Sequence, residues 1–416
     1  MRVPAAWATA GVLAGALAGC GSGSSATSTQ TRPAVPALAS AAPSSCRQAV
    51  LDTLTTGVLE RVYREGVSSE RTTIARRAAA SPALRGAVES GQPAAGLAAA
   101  RRLISEGHIA DLDITAGGRA LVSVGGPALA PLSGTITGPA GRALARYSAS
   151  VWSDAGFLAE GEGITGGQVA IRADNRSLGG SPALGHRALG DAGTITIGGV
   201  ASEYDSFPAE SLQSVPVRIY LLRSAGENRV LCGSSVQDTV VNTLHHVARS
   251  IYNAELSTHA FAQVQRVEND SALVQAVAER NPAATRGAVK SLLNEHIVRL
   301  RVYSRHELLA DVGGVFVLAP VQGVLRRNGD TIGRFLLSIQ DDEGYKRLTD
   351  RLAGVKVLMY MDGQLVKNSL GPAPGDVPPD GLYEYRGRSY RVFTLHLNAF
   401  PSGPLLVRGF VPVPYS

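Results

Sequence analysis

Residues 108–126 read HIADLDITAGGRALVSVGG, and residues 296–314 read HIVRLRVYSRHELLADVGG. At a constant offset of 188, seven of these 19 positions are identical: His108/His296, Ile109/Ile297, Leu112/Leu300, Leu121/Leu309, Val124/Val312, Gly125/Gly313 and Gly126/Gly314. The same frame pairs Arg146 with Arg334, Ser150 with Ser338, Asp154 with Asp342, Phe157 with Tyr345, Gly166 with Gly354, Val169 with Val357 and Gly199 with Gly387. Apolar positions meet apolar ones and turn residues meet turn residues, which marks a duplicated unit rather than a shared composition. Whatever the first half builds, the second half builds again.

The N-terminal segment stands outside the repeat. Residues 3–19 carry no charge and end in Leu17-Ala18-Gly19-Cys20. This resembles a bacterial lipobox, which implies removal of a signal peptide over 1–20 and lipidation of Cys20. The next 25 residues, 21–45, hold a single charge and almost no large apolar side chain. Such a stretch cannot offset its own ordering entropy, so a disordered tether is expected, with a reach on the order of 25–30 Å. What remains divides into copy one, 46–231, and copy two, 232–416. Nothing after residue 20 approaches the run of apolar residues that spans a bilayer, so the rest is expected outside the membrane, and the lipobox resemblance implies the extracytoplasmic face of the cell membrane.

The formal net charge is +6 without a dense Lys/Arg block, and aromatics make up 5% of the chain. Stacking platforms for nucleic acid are therefore not expected, whereas a diffuse basic excess suits an anionic membrane surface or small anionic ligands.

Each copy opens with helix. Val236, Val240, Leu244, Val247 and Ile251 form an apolar stripe, answered in copy one by Val50, Leu54, Val58 and Val62. IVRLRVY, GVFVLAP and IGRFLLSIQ then alternate like strands, DDEGYKRLTDRLAG reads as a capped helix ended by Gly354, and VKVLMYMDGQLV, YEYRGRSYRVFTLHL and PLLVRGFVPV supply further strands. The fold class is α+β, with a long N-terminal helix packed on an antiparallel sheet in each copy.

The phrase LLADVGGVFVLAPVQGVLRRNGDTIGRFLLSIQDDEGYKRL, following a long helix, resembles the extracytoplasmic Cache (PAS-like) sensor family, and copy one resembles it more loosely. The resemblance implies two tandem sensor modules, each with a pocket on the sheet roofed by loops, for a small-molecule ligand such as an organic acid. Members of the family commonly precede a transmembrane helix and a transmitter. Here the chain reaches Ser416 directly after a strand-like segment, so relay to a membrane sensor kinase or transporter is expected.

Strand parity places Arg334 and Ser338 on one face, with Phe335, Leu337 and Ile339 on the other, and Arg146 and Ser150 repeat the arrangement. A guanidinium suits a carboxylate, and a nearby hydroxyl can orient it. Asp342 follows the strand, and Arg301, Tyr303, Tyr345 and Tyr360 complete the candidate ligand set. Against this stands the solvated sheet face and the helix cap, which the same residues also fit. With Cys20 assigned to lipid, Cys46 and Cys232 remain, each just ahead of its copy's long helix. If those helices lie parallel, as in dimers of single sensor modules, a Cys46–Cys232 disulfide would clip a pseudo-dimer.

Catalytic motifs are not apparent: HExxH, SxxK, a Walker loop and a GxSxG elbow are lacking, so no enzyme activity, cofactor or metal is expected. Gly161-Glu162-Gly163-Ile164-Thr165-Gly166 matches GxGxxG but precedes a strand, and reads as a flexible turn. His245-His246 reads as a helix-surface pair, and His108 and His296 as structural hydrogen-bonding groups at helix-to-strand junctions. An envelope-associated adaptor that keeps the fold without a ligand is the alternative to a sensor.

Overall fold

The computed structural model describes residues 48–105, 109–180, 184, 186–213, 215–293, 297–372, 374–401 and 403–413. Segments 1–20 and 21–45, with Cys20, Cys46, His108 and His296, lie outside the described residues.

The repeat is visible strand for strand. In copy one, Asp111–Ala116, Arg119–Val124, Leu132–Thr137 and Ala143–Ser150 form an antiparallel sheet in the order 2-1-4-3, and in copy two Arg299–Ser304, Glu307–Gly313, Val321–Arg327 and Asp330–Ser338 do the same. Leu112 pairs with Val124 as Leu300 pairs with Val312, and the same bulge follows, between Ile114 and Thr115 and between Val302 and Tyr303. The offset shifts by one over the third strand and is restored in the turn that follows. Leu132 faces Ala149, whereas its counterpart facing Leu337 is Val321, so copy two holds one extra residue ahead of this strand. There a glycine sits against an aromatic ring in each copy: a Cβ on Gly134 would lie 2.6 Å from Tyr147, and one on Gly323 would lie 2.2 Å from Phe335.

Each copy carries a second sheet, where the strand patterns predict one antiparallel sheet per copy. Gln168–Ala173, Arg176–Gly180, Ala192–Ile197, Val200–Glu210 and Pro216–Ser224 are ordered 2-1-5-4-3. Lys356–Met361, Gln364–Asn368, Gly381–Tyr385, Arg388–Ala399 and Gly403–Pro412 repeat that order. The first sheet of each copy has its own core, built with three short helices around Leu112, Ile114 and Tyr147 or around Leu300, Val302 and Phe335. The second sheets share one. Val58, Phe157, Val169, Ile219, Val247, Tyr345, Val357, Phe393 and Val407 belong to a single buried cluster drawn from both halves, so the two copies share an interior here.

The long helices Gln48–Glu65 and Val236–Leu256 lie within that cluster. The apolar stripe forms the buried face of the second, and Ser235 caps it by accepting from the Asp238 N–H at 3.0 Å. Both helices pack on the helix Asp154–Thr165 of copy one. Leu59 crosses it at Gly161 and Tyr63 meets Phe157, while His246 packs at Gly166 and His259, just past the second long helix, reaches Glu160. Each runs down the shared helix from its C-terminal end, so the two long helices are parallel. The glycine motif is thus the end of a helix and not a flexible turn: Gly161 admits Leu59, and Gly166, at φ +70, is its left-handed cap.

Polar contacts cross the seam between the copies. Asp341 caps the helix Asp342–Leu348 through the Gly344 N–H, and the helix widens into a π turn, Thr349–Ala353, ended by Gly354 at φ +67. Arg61 of copy one donates to the Leu352 carbonyl of that turn at 2.8 Å, and Glu65 pairs with Arg351. Opposite them, His259 bridges Glu160 of copy one, at 2.5 Å, and Glu255 of copy two, at 3.5 Å. Hydrogen bonds to Glu160 and then Glu255 raise the imidazole pKa to about 10, so the clasp is charged at neutral pH. His245 and His246 are half-buried in the same region, not on an open helix surface: His245 stands edge-on to Phe393 at 5.1 Å. Burial, reinforced by Arg249 for one and Arg223 for the other, lowers both pKa values.

Candidate functional site

The seven ligand residues expected from the sequence fall in three places. Arg301, Tyr303 and Arg334 do meet, on the outer face of copy two's first sheet. Arg334 stacks on Tyr303 at 5.0 Å, and Arg301 lies 3.4 Å from the Tyr303 hydroxyl. Asp311 occupies the guanidinium of Arg301 and that of Arg299, and both arginines rest on the Phe400 ring. Hydrogen bonds from Arg299, and then from Arg301, hold the Asp311 carboxyl below the usual carboxylate range. This is a self-satisfied charged face on an open sheet, the solvated alternative that strand parity also allowed.

Ser338, Tyr345 and Asp342 are interior. Ser338 donates to the Leu318 carbonyl and accepts from the Gln340 N–H, closing the crossing between the two sheets, and Ser150 does the same at Leu129 and Trp152. The Tyr345 hydroxyl donates to the Ala248 carbonyl in the shared core, where burial raises its pKa. Asp342 pairs with Lys367 at 3.0 Å. The pairing inferred from parity holds, but the buried end of that face is engaged in hydrogen bonds within the fold.

Tyr360 is elsewhere, and it leads to the site. The second sheet of copy two turns Val357, Met359 and Val407 toward the shared core and Leu358, Tyr360, Leu406, Arg408 and Phe410 outward. Over the outward face lies the connection between Gln364–Asn368 and Gly381–Tyr385, whose sequence is SLGPAPGDVPPD. Four prolines deprive it of N–H donors, so it cannot hold itself by a backbone ladder. The sheet holds it through its carbonyls instead. Tyr385 donates to Pro372 at 2.6 Å and Tyr383 to Gly375 at 3.1 Å, while Arg408 donates to Val377 and Thr394 to Pro379. Between roof and sheet is a cavity of about 400 Å³ lined by Tyr360, Gly363, Pro374, Asp376, Val377, Pro404, Leu406 and Arg408.

Arg408 is the polar centre of this cavity. Its Nη1 is committed to the roof, whereas Nε is shielded from solvent and has no hydrogen-bond partner among the described residues. A guanidinium at the wall suits an anion, and the remaining walls mix the Asp376 carboxylate and the Tyr360 ring with Pro374, Val377, Pro404 and Leu406. Strand alternation alone would have put Arg408 on Tyr360's face. The missing step was the roof: twelve Pro/Gly-rich residues between two strand patterns, followed by Tyr-x-Tyr, are too long for a tight hairpin and mark a covering segment.

Copy one has the same pair with the strands exchanged. Arg172 stands where copy two has Tyr360, and Tyr220 where it has Arg408. Arg172 is 1% exposed, lies 5.9 Å from the Tyr220 ring, and donates to the Asn175 carbonyl and to Arg187 in the connection above the sheet. Leu184, Ile195, Tyr204, Tyr220 and Leu222 pack into the apolar layer there.

Cys232 is disulfide-bonded and immediately precedes the second long helix; Cys46 and Cys20 lie outside the described residues. Among the described residues no group of acidic, histidine or cysteine side chains is arranged to hold a metal ion, and no helix is long and apolar enough to cross a membrane.

No family model matches the chain, and no curated protein matches it. Among solved structures it is similar to the periplasmic domain of Vibrio cholerae LuxQ, at 12% identity and a TM-score of 0.31, over 41% of this chain and 98% of that one. It is also similar to an extracellular ligand binding receptor from Desulfohalobium retbaense, at 10% identity and a TM-score of 0.26, over 52% of this chain and 47% of that one. Likeness at this level carries no argument about ligand or mechanism, which rest on the site itself.

Proposed function

We propose that this chain is an extracytoplasmic, non-catalytic binding protein, held to the membrane through lipidated Cys20, that takes a small organic acid in the roofed cavity of copy two and relays its occupancy to a membrane partner such as a sensor kinase or transporter. The observation that carries the reading is Arg408: one arm holds the roof at Val377, the side chain lines the cavity, and its solvent-shielded Nε has no partner among the described residues. A carboxylate suits the Arg408 guanidinium at the wall, away from the Asp376 carboxylate, and Tyr360, Leu406, Pro374 and Pro404 accept an apolar body. Because the same guanidinium grips roof and ligand, occupancy is felt by the segment that covers it.

For copy one, a scaffold role is the reading to prefer, since the Arg172 side chain itself occupies the layer beneath its roof. Cys232 is assigned to Cys46, which would join the parallel long helices at their N-terminal ends and fix the pseudo-dimer.

Thermal unfolding of the purified chain against a panel of carboxylic acids and their neutral amides tests the assignment. An acid present at a hundred times its dissociation constant should stabilise the protein by about 2.7 kcal/mol. Its amide should not, and Arg408→Gln should remove the effect. Equal responses to acid and amide, or an unchanged response in Arg408→Gln, would refute it.

A further inference from the structure

One end of the folded unit gathers features that the binding site does not use. The strand Arg388–Ala399 runs alongside the second long helix, with Arg391 paired to Asp238 near the helix start and the Asn398 carbonyl accepting from Tyr252 near its end. The hairpin turn at Arg386-Gly387 therefore projects past the helix N-terminus, roughly 13–16 Å beyond Arg391 at strand rise. In copy one the turn at Gly198-Gly199 projects likewise, since Asp52 of the first long helix lies level with Gly193 and Glu203, several residues back along the strands. Ser202 pairs with Ser224, so the helix Ala225–Leu231 sits beside that turn. The described chain also begins here, at Gln48, where residues 1–47 join it.

The surface at this end carries both arginines and apolar side chains. Arg229, Arg386 and Arg388 are exposed, as are Val230, at 80%, and Val200, at 54%, while Glu203, Glu227 and Glu384 are the acids carried by the same hairpins and helix. Exposed valines beside arginines can settle into an anionic lipid interface, where apolar side chains enter the headgroup boundary and guanidiniums take phosphate.

We infer that this end docks on an anionic phospholipid surface, with Val200 and Val230 entering the interface and Arg229, Arg386 and Arg388 contacting lipid phosphates. The inference rests on the proposed lipid anchor, because a chain tethered at residue 20 and folded from residue 48 brings this end, before any other, to the bilayer. Docking would set the parallel helices upright on the membrane and turn the first sheets outward.

The test uses the lipidated full chain in vesicles carrying bromine-labelled acyl chains, with single substitutions Val230→Trp, Val200→Trp and, at the opposite end, Leu308→Trp, each corrected for the parent fluorescence. In phosphatidylglycerol-containing vesicles the first two should be quenched at least twofold more than Leu308→Trp. The excess should fall when Arg386 and Arg388 are both changed to Gln, or when the vesicles are phosphatidylcholine alone. A chain that floats with vesicles while all three positions quench alike overturns the docking surface and leaves the anchor standing; a chain that does not float overturns both. Two independent tryptophan positions guard against one variant failing to fold.

Discussion

At the same register of the same strand, copy one presents Asp111 and Asp113 where copy two presents Arg299 and Arg301; across from Arg301 copy two supplies Asp311, where copy one has Ser123. Copy two thus closes its charges among themselves. Copy one leaves Asp111 4% exposed, and burial, followed by the repulsion of Asp113, raises its pKa to about 7. Under the roofs the contrast is reversed. Copy one lays its arginine into the layer between sheet and roof, and copy two keeps a cavity with its arginine at the wall. Backbone register is common to the two copies because it is set by apolar alternation and turn glycines, which the duplication kept. The polar positions were free to diverge, and in each copy a different site absorbed the cost.

The largest expected effect concerns what the copies share. Phe157→Ala and Tyr345→Ala, at equivalent fully buried positions, should each destabilise by about 3–5 kcal/mol in urea unfolding. Because both side chains belong to one core, each variant should shift a single common transition. Separate transitions for the two copies would break the account of the shared interior.

Next comes the charge contrast. Asp111 binds its proton more tightly folded than unfolded, so its contribution is favourable in acid and lost as pH rises from the ordinary carboxylate range through about 7. Asp111→Asn should therefore stabilise the chain at pH 8 by on the order of 3 kcal/mol and change little at pH 4. Asp311, with its pKa lowered, has the opposite sign: its contribution is present at neutral pH and lost on acidification, so Asp311→Asn should destabilise at pH 7 and converge on the parent in acid. Urea midpoints across pH decide both, and like-signed effects would erase the contrast.

Ser150→Ala and Ser338→Ala should cost similar amounts, about 1–3 kcal/mol each, because each strands a buried backbone group at the same sheet crossing. A marked inequality would show that the two crossings are not equivalent. The smallest effect belongs to His259. With its pKa raised, its stabilisation is complete below the unfolded value and lost as pH rises through about 10. Amide exchange along Val236–Leu256 should therefore accelerate above pH 9 in the parent beyond the intrinsic base-catalysed rise, and less so in His259→Gln, which lacks the charged clasp.

The duplication, the long helices and the α+β class were legible because apolar periodicity and turn residues encode them directly. The second sheet in each copy was not, since strands such as Lys356–Met361 and Gly403–Pro412 read alike whether they extend one sheet or begin another. The GxGxxG stretch misled because its spacing looks like a loop, whereas the physical need was close helix packing at Gly161. Arg334 drew attention by parity, yet parity says only which side chains share a face and nothing about what covers it. Arg408 became visible as a site only with its roof, which depends on carbonyls accepting from Tyr383, Tyr385 and Thr394 across the fold.

The central proposal is that the ligand binds in the roofed cavity of copy two, at Arg408, and not under the sheet connection of copy one. Calorimetric titration of the full chain with the carboxylic acid that most raises its unfolding temperature addresses this directly. One ligand should bind per chain, binding should vanish in Arg408→Gln, and it should persist in Arg172→Gln. Two ligands per chain, or binding that survives Arg408→Gln, would contradict the account.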